Sequence, residues 1–271
     1  MLNAEQTLVL DNLKRARSLQ EMIDGLPRSA SKIERGVGSF EGCLATLHNF
    51  HKVLVNLAWF EAHDLDAFKL QCHILGKLSY IKHRAVEPQG YASEEQLMHT
   101  LLSDDEELVG WAADMCRNVH PKITATSLTN NPRDPLFRHY QSSLALVGEW
   151  GPLAQRAERF LADPPKGMKR FAADHRFFLA LAQADRPGME SALREITEPK
   201  QIKARRESLN EFNPFVVDHA MLYAKIAWRH GHELLIDSPL MVPEWLPVRP
   251  LASYPDPYPF MRAYPVQPET A

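Results

Sequence analysis

The sequence predicts an all-α protein of stacked antiparallel helical hairpins, resembling a helical repeat and closed by an extended Pro-rich C-terminal tail. Three observations predict this. Apolar residues recur at three- and four-residue spacing through most of the chain from Leu8 to Trp228. Glycine is scarce, 12 in 271 residues, which disfavours turn-rich β architectures and Gly-rich phosphate loops. Nine prolines fall between Pro239 and Pro268, where neither a helix nor a central strand can run. A chain of 271 residues can bury a large core as one extended domain or two small ones. We expect one continuous domain with three regions: an N-terminal helical region over 1–129, a helical-hairpin region over 130–247, and a tail over 248–271 lying on the surface or partly loose.

Taken in order, Leu8, Leu10, Leu13, Ala16, Leu19, Met22 and Ile23 fit a first helix, and Gly25-Leu26-Pro27 ends the pattern. Residues 28–38 read as a basic, small-residue loop. The run from Phe40 to Ala62 is apolar over much of its circumference and predicts a central helix. Asp64 is a candidate N-cap for a third helix over Leu65 to Arg84, and Pro88-Gln89-Gly90 then breaks the chain. Asn130 to Pro135 is the best internal boundary, with Asp134 as N-cap and Pro135 in the first helical position. Two hairpins follow: 136–147 with 153–161, then 171–184 with 189–196 after the turn Asp185-Arg186-Pro187-Gly188. Lys200, Lys203, Arg205 and Arg206 read as a solvated helix face diluted by neighbouring glutamates. Asn213 and Pro214 have the chemistry of a helix start, and Val217, Met221, Tyr223, Ala224, Ala227 and Trp228 supply the stripe. Gly231 offers a left-handed stop, Leu234-Leu235-Ile236 is short and β-prone, and Asp237-Ser238-Pro239 reads as a turn. Trp245, Tyr254, Tyr258 and Phe260 are candidate anchors for the tail.

The net charge of -3 speaks against a nucleic-acid binder, which usually carries a basic excess or face. Charge is uneven, because residues 87–120 hold eight acids against the single base Arg117. Two readings stay open for them. Ser93-x-x-Gln96 and Ser103-x-x-Glu106 have the form of capping boxes, with acids complementing helix dipoles. Alternatively Glu94, Glu95, Asp104, Asp105, Glu106 and Glu107 form a docking face for a basic partner. Cys43, Cys72 and Cys116 are odd in number, show no CxxC spacing and read as structural thiols of a reducing compartment. The nearest metal-like groupings, His48-x-x-His51, Glu61-x-His63 and His230-x-His232, have no matching second ligand pair. No catalytic residue, metal or cofactor is expected, and neither is enzyme activity. The polar N-terminus has no signal-peptide pattern and no membrane span is visible, so we expect a cytoplasmic protein without membrane contact.

Three stretches together resemble the immunity protein 49 family. They are Tyr140-Gln141-Ser142-Ser143-Leu144-Ala145-Leu146-Val147, Phe177-Phe178-Leu179-Ala180-Leu181 with the Asp185-Arg186 turn, and Gly231-His232-Glu233-Leu234-Leu235-Ile236-Asp237-Ser238-Pro239-Leu240-Met241-Val242-Pro243. The resemblance covers mainly residues 130–247 and contains no catalytic signature. It implies a bacterial protein that neutralises the toxin of a neighbouring gene by binding it. A nuclease toxin, whose surface is basic to hold phosphate, would suit an acidic inhibitor. A helical-repeat adaptor is the alternative, and a helical enzyme would need His48, His51 and Glu61 to converge in a polar pocket.

Overall fold

A computed structural model of the chain describes residues 2–22, 25–86, 93–123, 127–205 and 211–267. The helices are α1 (Ala4–Met22), α2 (Gly25–Glu34), α3 (Phe40–Phe60), α4 (Leu65–Ala85), α5 (Glu94–Ser103), α6 (Glu106–Ile123), α7 (Ser127–Asn130), α8 (Pro135–Val147), α9 (Trp150–Ala162), α10 (Ala172–Ala182), α11 (Arg186–Ile196), α12 (Pro199–Arg205) and α13 (Asp218–Arg229). Among the described residues there is no strand, so the all-α expectation holds. No described helix is long and apolar enough to cross a membrane.

The chain divides into two compact units rather than the three expected regions. Among the described residues, unit one comprises 2–22, 25–86, 96–111 and 249–267, and unit two comprises 93–95, 112–123, 127–205 and 211–248. Residues 112–123 group with the C-terminal unit, and residues 249–267 of the tail group with the N-terminal unit.

In unit one, α3 and α4 form a hairpin because each start is capped. Ser39 Oγ accepts the Gly42 N–H at 3.0 Å, and Asp64 Oδ1 accepts the Ala67 N–H at 2.9 Å. Leu47, Val55, Phe68, Cys72, Leu75 and Ile81 all have 0% exposure, so the apolar stripes meet in one core. The loop expected over 28–38 is instead largely α2. Pro27 falls in its first turn, where a missing N–H costs nothing, so the proline that reads as a stop belongs to a start.

The tail lies on unit one along a row of polar contacts. The Arg249 N–H donates to Asp104 Oδ2 at 3.1 Å, and Lys69 Nζ donates to the Arg249 carbonyl. Tyr254 Oη donates to the Ser103 carbonyl at 2.6 Å and accepts the Leu251 N–H at 2.9 Å. Further along, the Tyr80 hydroxyl donates to the Pro265 carbonyl at 2.8 Å. A segment that cannot pair its backbone in a ladder meets side chains instead.

In unit two the expected hairpins form. Asp134 caps α8, Gly148 ends it with φ +75°, and α9 begins earlier than expected, at Trp150. Asp185 caps α11 through the Gly188 N–H at 3.1 Å, so Arg186 and Pro187 are helix and not turn. Phe177, Phe178, Leu193, Met189 and Tyr223 have no exposure and form the centre. The helix expected from Asn213 starts only at Asp218. The Val217 N–H is drawn to the Leu240 carbonyl at 3.0 Å, and Asp218 reaches back to the N–H groups of Glu211 and Phe212. The Asn213–Pro214 peptide is cis. Leu234, Leu235 and Ile236 alternate buried, exposed, buried, but they form no strand. Lys225, fully buried in α13, donates to the carbonyls of Trp245, Leu246 and Pro247 and fixes the chain that follows.

Candidate functional site

The six acidic residues singled out in the sequence do not form one exposed face. Glu94 belongs to unit two and is 2% exposed. Its carboxylate lies 2.9 Å from His139 Nε2 and 3.1 Å from His219 Nε2, and accepts the Ser142 hydroxyl at 2.8 Å. Burial alone would raise its pKa, but the two imidazoles outweigh this and hold it well below the usual carboxylate value. Asp104 has 0% exposure and pairs with Lys69 at 2.8 Å. Glu95 is half-buried, and only Glu106 and Glu107 are exposed. A docking face through Glu94 and Asp104 is therefore corrected: their charges are used internally. The capping expectation also changes, because Asp105 caps α6. It accepts the N–H groups of Glu107 at 3.0 Å and Leu108 at 3.4 Å, while Ser103 Oγ donates to the Thr100 carbonyl.

Asp105, Glu106 and Glu107 do come together, on the wall of a cavity of about 690 Å³ in unit one. Residues far away in sequence complete it: His73 and Lys77 from α4, with Pro250, Tyr254, Asp256, Arg262, Pro265 and Val266 from the tail. His73 Nδ1 lies 2.7 Å from Asp105 Oδ2, and its ring stacks on Tyr254 at a centroid distance of 4.9 Å. His73 Nε2 is buried and has no hydrogen-bond partner among the described residues. Burial would push Asp105 up, but the His73 hydrogen bond and charge, with the Leu108 and Glu107 N–H groups, hold it below the ordinary carboxylate value. Burial pushes Tyr254 up to about 12, opposed by the Leu251 N–H and assisted by Asp105, Asp104 and Glu106. Lys77 approaches Asp256 at 3.4 Å. Four carboxylates (Asp105, Glu106, Glu107, Asp256) thus face two cations (Lys77, Arg262), and the two most exposed acids stand on one side. Such a rim favours a positively charged group.

Sequence reasoning reached Asp105, Glu106 and Glu107 and flagged Tyr254 only as an anchor. It missed His73, Lys77, Asp256 and Arg262. Lys77 had no local mark, whereas His73 lies one turn before it on α4, an i,i+4 polar pair on an otherwise buried helix. The enzyme-like grouping separates: His51 bonds Gln71 at 2.6 Å and Tyr258 at 2.8 Å, whereas Glu61 pairs with Lys14 at 3.2 Å and Arg17 at 3.4 Å. Burial, opposed by the Gln71 hydrogen bond, lowers His51 to about 4, so its ring is neutral at pH 7. His230, at the end of α13, donates through Nε2 to the Ala145 carbonyl at 2.8 Å, a structural use of one half of the His230-x-His232 pair.

Unit two carries a second polar cluster, buried throughout. Asp174 accepts both terminal nitrogens of Arg205, at 2.5 and 2.8 Å, and the Tyr223 hydroxyl at 2.9 Å. Arg138 Nη2 lies 3.1 Å from His219 Nε2, which links Asp174 to the Glu94 group. No protein-family model, curated protein or solved structure matches the chain.

Proposed function

We propose that the protein is an immunity protein that neutralises a cognate bacterial toxin by stoichiometric binding, and that the acidic cavity of unit one receives a basic element of that toxin. The acidic cavity is the observation that carries the reading, because Glu106 and Glu107 place two exposed carboxylates beside a pre-formed concavity. The resemblance of residues 231–243 to the immunity protein 49 family supplies the class of partner. A cytoplasm-acting nuclease toxin suits it, since a surface made to hold phosphate presents lysines and arginines. In this reading the protein acts by occupying the toxin, uses no cofactor and touches neither nucleic acid nor membrane.

The test is co-expression with the product of the adjacent gene. That product should arrest growth alone, be harmless with this protein and co-purify with it. Glu106→Lys with Glu107→Lys should weaken the complex by about tenfold or more, as lost charge pairs of roughly 1.5 kcal/mol or above would. Wild-type affinity in the double variant at low salt would remove the cavity from the account, and no protection by the wild type would remove the function.

A second reading rests on His73. A carboxylate at Nδ1 with a buried, unpartnered Nε2 is the arrangement of a general base. His73→Asn would then abolish a turnover while leaving toxin protection intact. If protection falls and no turnover is found, the binding reading stands.

A further inference from the structure

The Arg-lined cavity of unit two suits a ligand unlike the one proposed for unit one, and the two readings stand or fall separately. It measures about 200 Å³, below the roughly 300 to 1,000 Å³ of drug-sized pockets, and so fits a small molecule. Four of its lining residues are Arg133, Arg138, Arg170 and Arg205, and Phe137, Phe160, Met168 and Phe171 supply its apolar wall. Three guanidiniums gather on a single ring: Arg138, Arg170 and Arg205 lie 4.6, 4.8 and 5.3 Å from the centre of Phe171.

Like charges brought this close repel unless anions compensate them. The nearby carboxylates are already engaged. Asp174 pairs with Arg205, lies 3.9 Å from Arg138 and accepts the Tyr223 hydroxyl, so it serves the two buried guanidiniums; Glu94 is held by His139, His219 and Ser142, and Asp134 caps α8 through the Leu136 N–H. Arg133 and Arg170 are exposed at the mouth and add positive charge that no carboxylate on the cavity wall other than Asp134 offsets. His175 also lines the cavity, is 1% exposed, and its Nδ1 has no hydrogen-bond partner among the described residues. Burial lowers its pKa more than Asp174 raises it, and Arg138, Arg156 and Arg205 add to the lowering, to about 3. The imidazole is therefore neutral and can donate to an anion without adding charge.

We infer that this cavity binds a small organic anion, a phosphate or carboxylate carried on a compact apolar body, with the charge toward Arg133 and Arg170 and the body against Phe137, Phe160 and Phe171. Guanidiniums recognise planar carboxylates and phosphates by paired N–H groups, and the phenyl rings reward an apolar substituent.

Calorimetric titration of the full chain with phenyl phosphate, benzoate, inorganic phosphate and phenol tests this. Phenyl phosphate or benzoate should bind, inorganic phosphate should bind at least about fivefold more weakly, and phenol should give no heat; the stronger of the first two identifies the head group. Arg133→Ala with Arg170→Ala, both exposed and outside the buried network, should keep the melting temperature and lower that affinity about tenfold. Absence of binding by both organic anions at concentrations up to about 10 mM would overturn the inference, as would unchanged affinity in the double variant or phenol binding as tightly as phenyl phosphate.

Discussion

Single residues decide which charges this protein spends inside itself. Lys69 is 2% exposed and holds Asp104, and Asp104 in turn accepts the Arg249 N–H. Lys69→Met should therefore cost about 3–5 kcal/mol in denaturant unfolding, because it removes the cation from a buried carboxylate. Glu106→Gln, at an exposed position, should stay within about 0.5 kcal/mol. The pH dependence follows from shifts of one sign. Glu94, Asp105 and Asp174 titrate below their ordinary values, so the unfolded chain takes up protons first on acidification. Their stabilisation is complete above about pH 5 and lost as the pH falls through their folded values. His51 and His175, lowered to about 4 and about 3, act earlier. They stay neutral in the fold while the unfolded imidazoles protonate below about pH 6.5. Denaturant midpoints should decline below about pH 6.5 and more steeply below about pH 5, and a flat profile between pH 6.5 and 5 would contradict the buried neutral histidines.

At the scale of elements, the legible features are those whose signal is local. Asp64 and Asp134 announce helix starts and Gly231 announces a stop, because a cap bonds a backbone group within a few residues. The misread elements are those governed by distant partners. Residues 213–217 carry the chemistry of a helix start, yet Leu240 captures the Val217 N–H, a competition no local pattern reveals. The α2 segment was hidden by a proline whose meaning depends on whether a helix is ending or beginning. The tail gives the element-scale prediction. Tyr254→Phe removes the donor to the Ser103 carbonyl and the acceptor for the Leu251 N–H, and should cost about 1–2 kcal/mol. Hydrogen exchange should then accelerate at Leu251 and around Ser103–Asp105 before it does in α3.

On the scale of the whole chain, the acidic bias of residues 87–120 was plain and its use was not. Counting charge in a window cannot see that His139 and His219 wait for Glu94, that Lys69 waits for Asp104, or that His73 waits for Asp105. After those pairings, the exposed remainder sits beside a cavity completed by the tail of unit one. The fold class was readable because periodicity is repeated in every helix, whereas the cavity was not, because α4, α6 and the tail meet only in three dimensions. The central claim is that Glu106 and Glu107 capture a basic toxin element, and the most direct measurement is the affinity of the adjacent gene's product for wild type and for Glu106→Lys with Glu107→Lys. The account predicts a tight complex whose dissociation constant rises about tenfold or more in the variant and weakens further with salt. Equal affinities for the two proteins at low salt would contradict it.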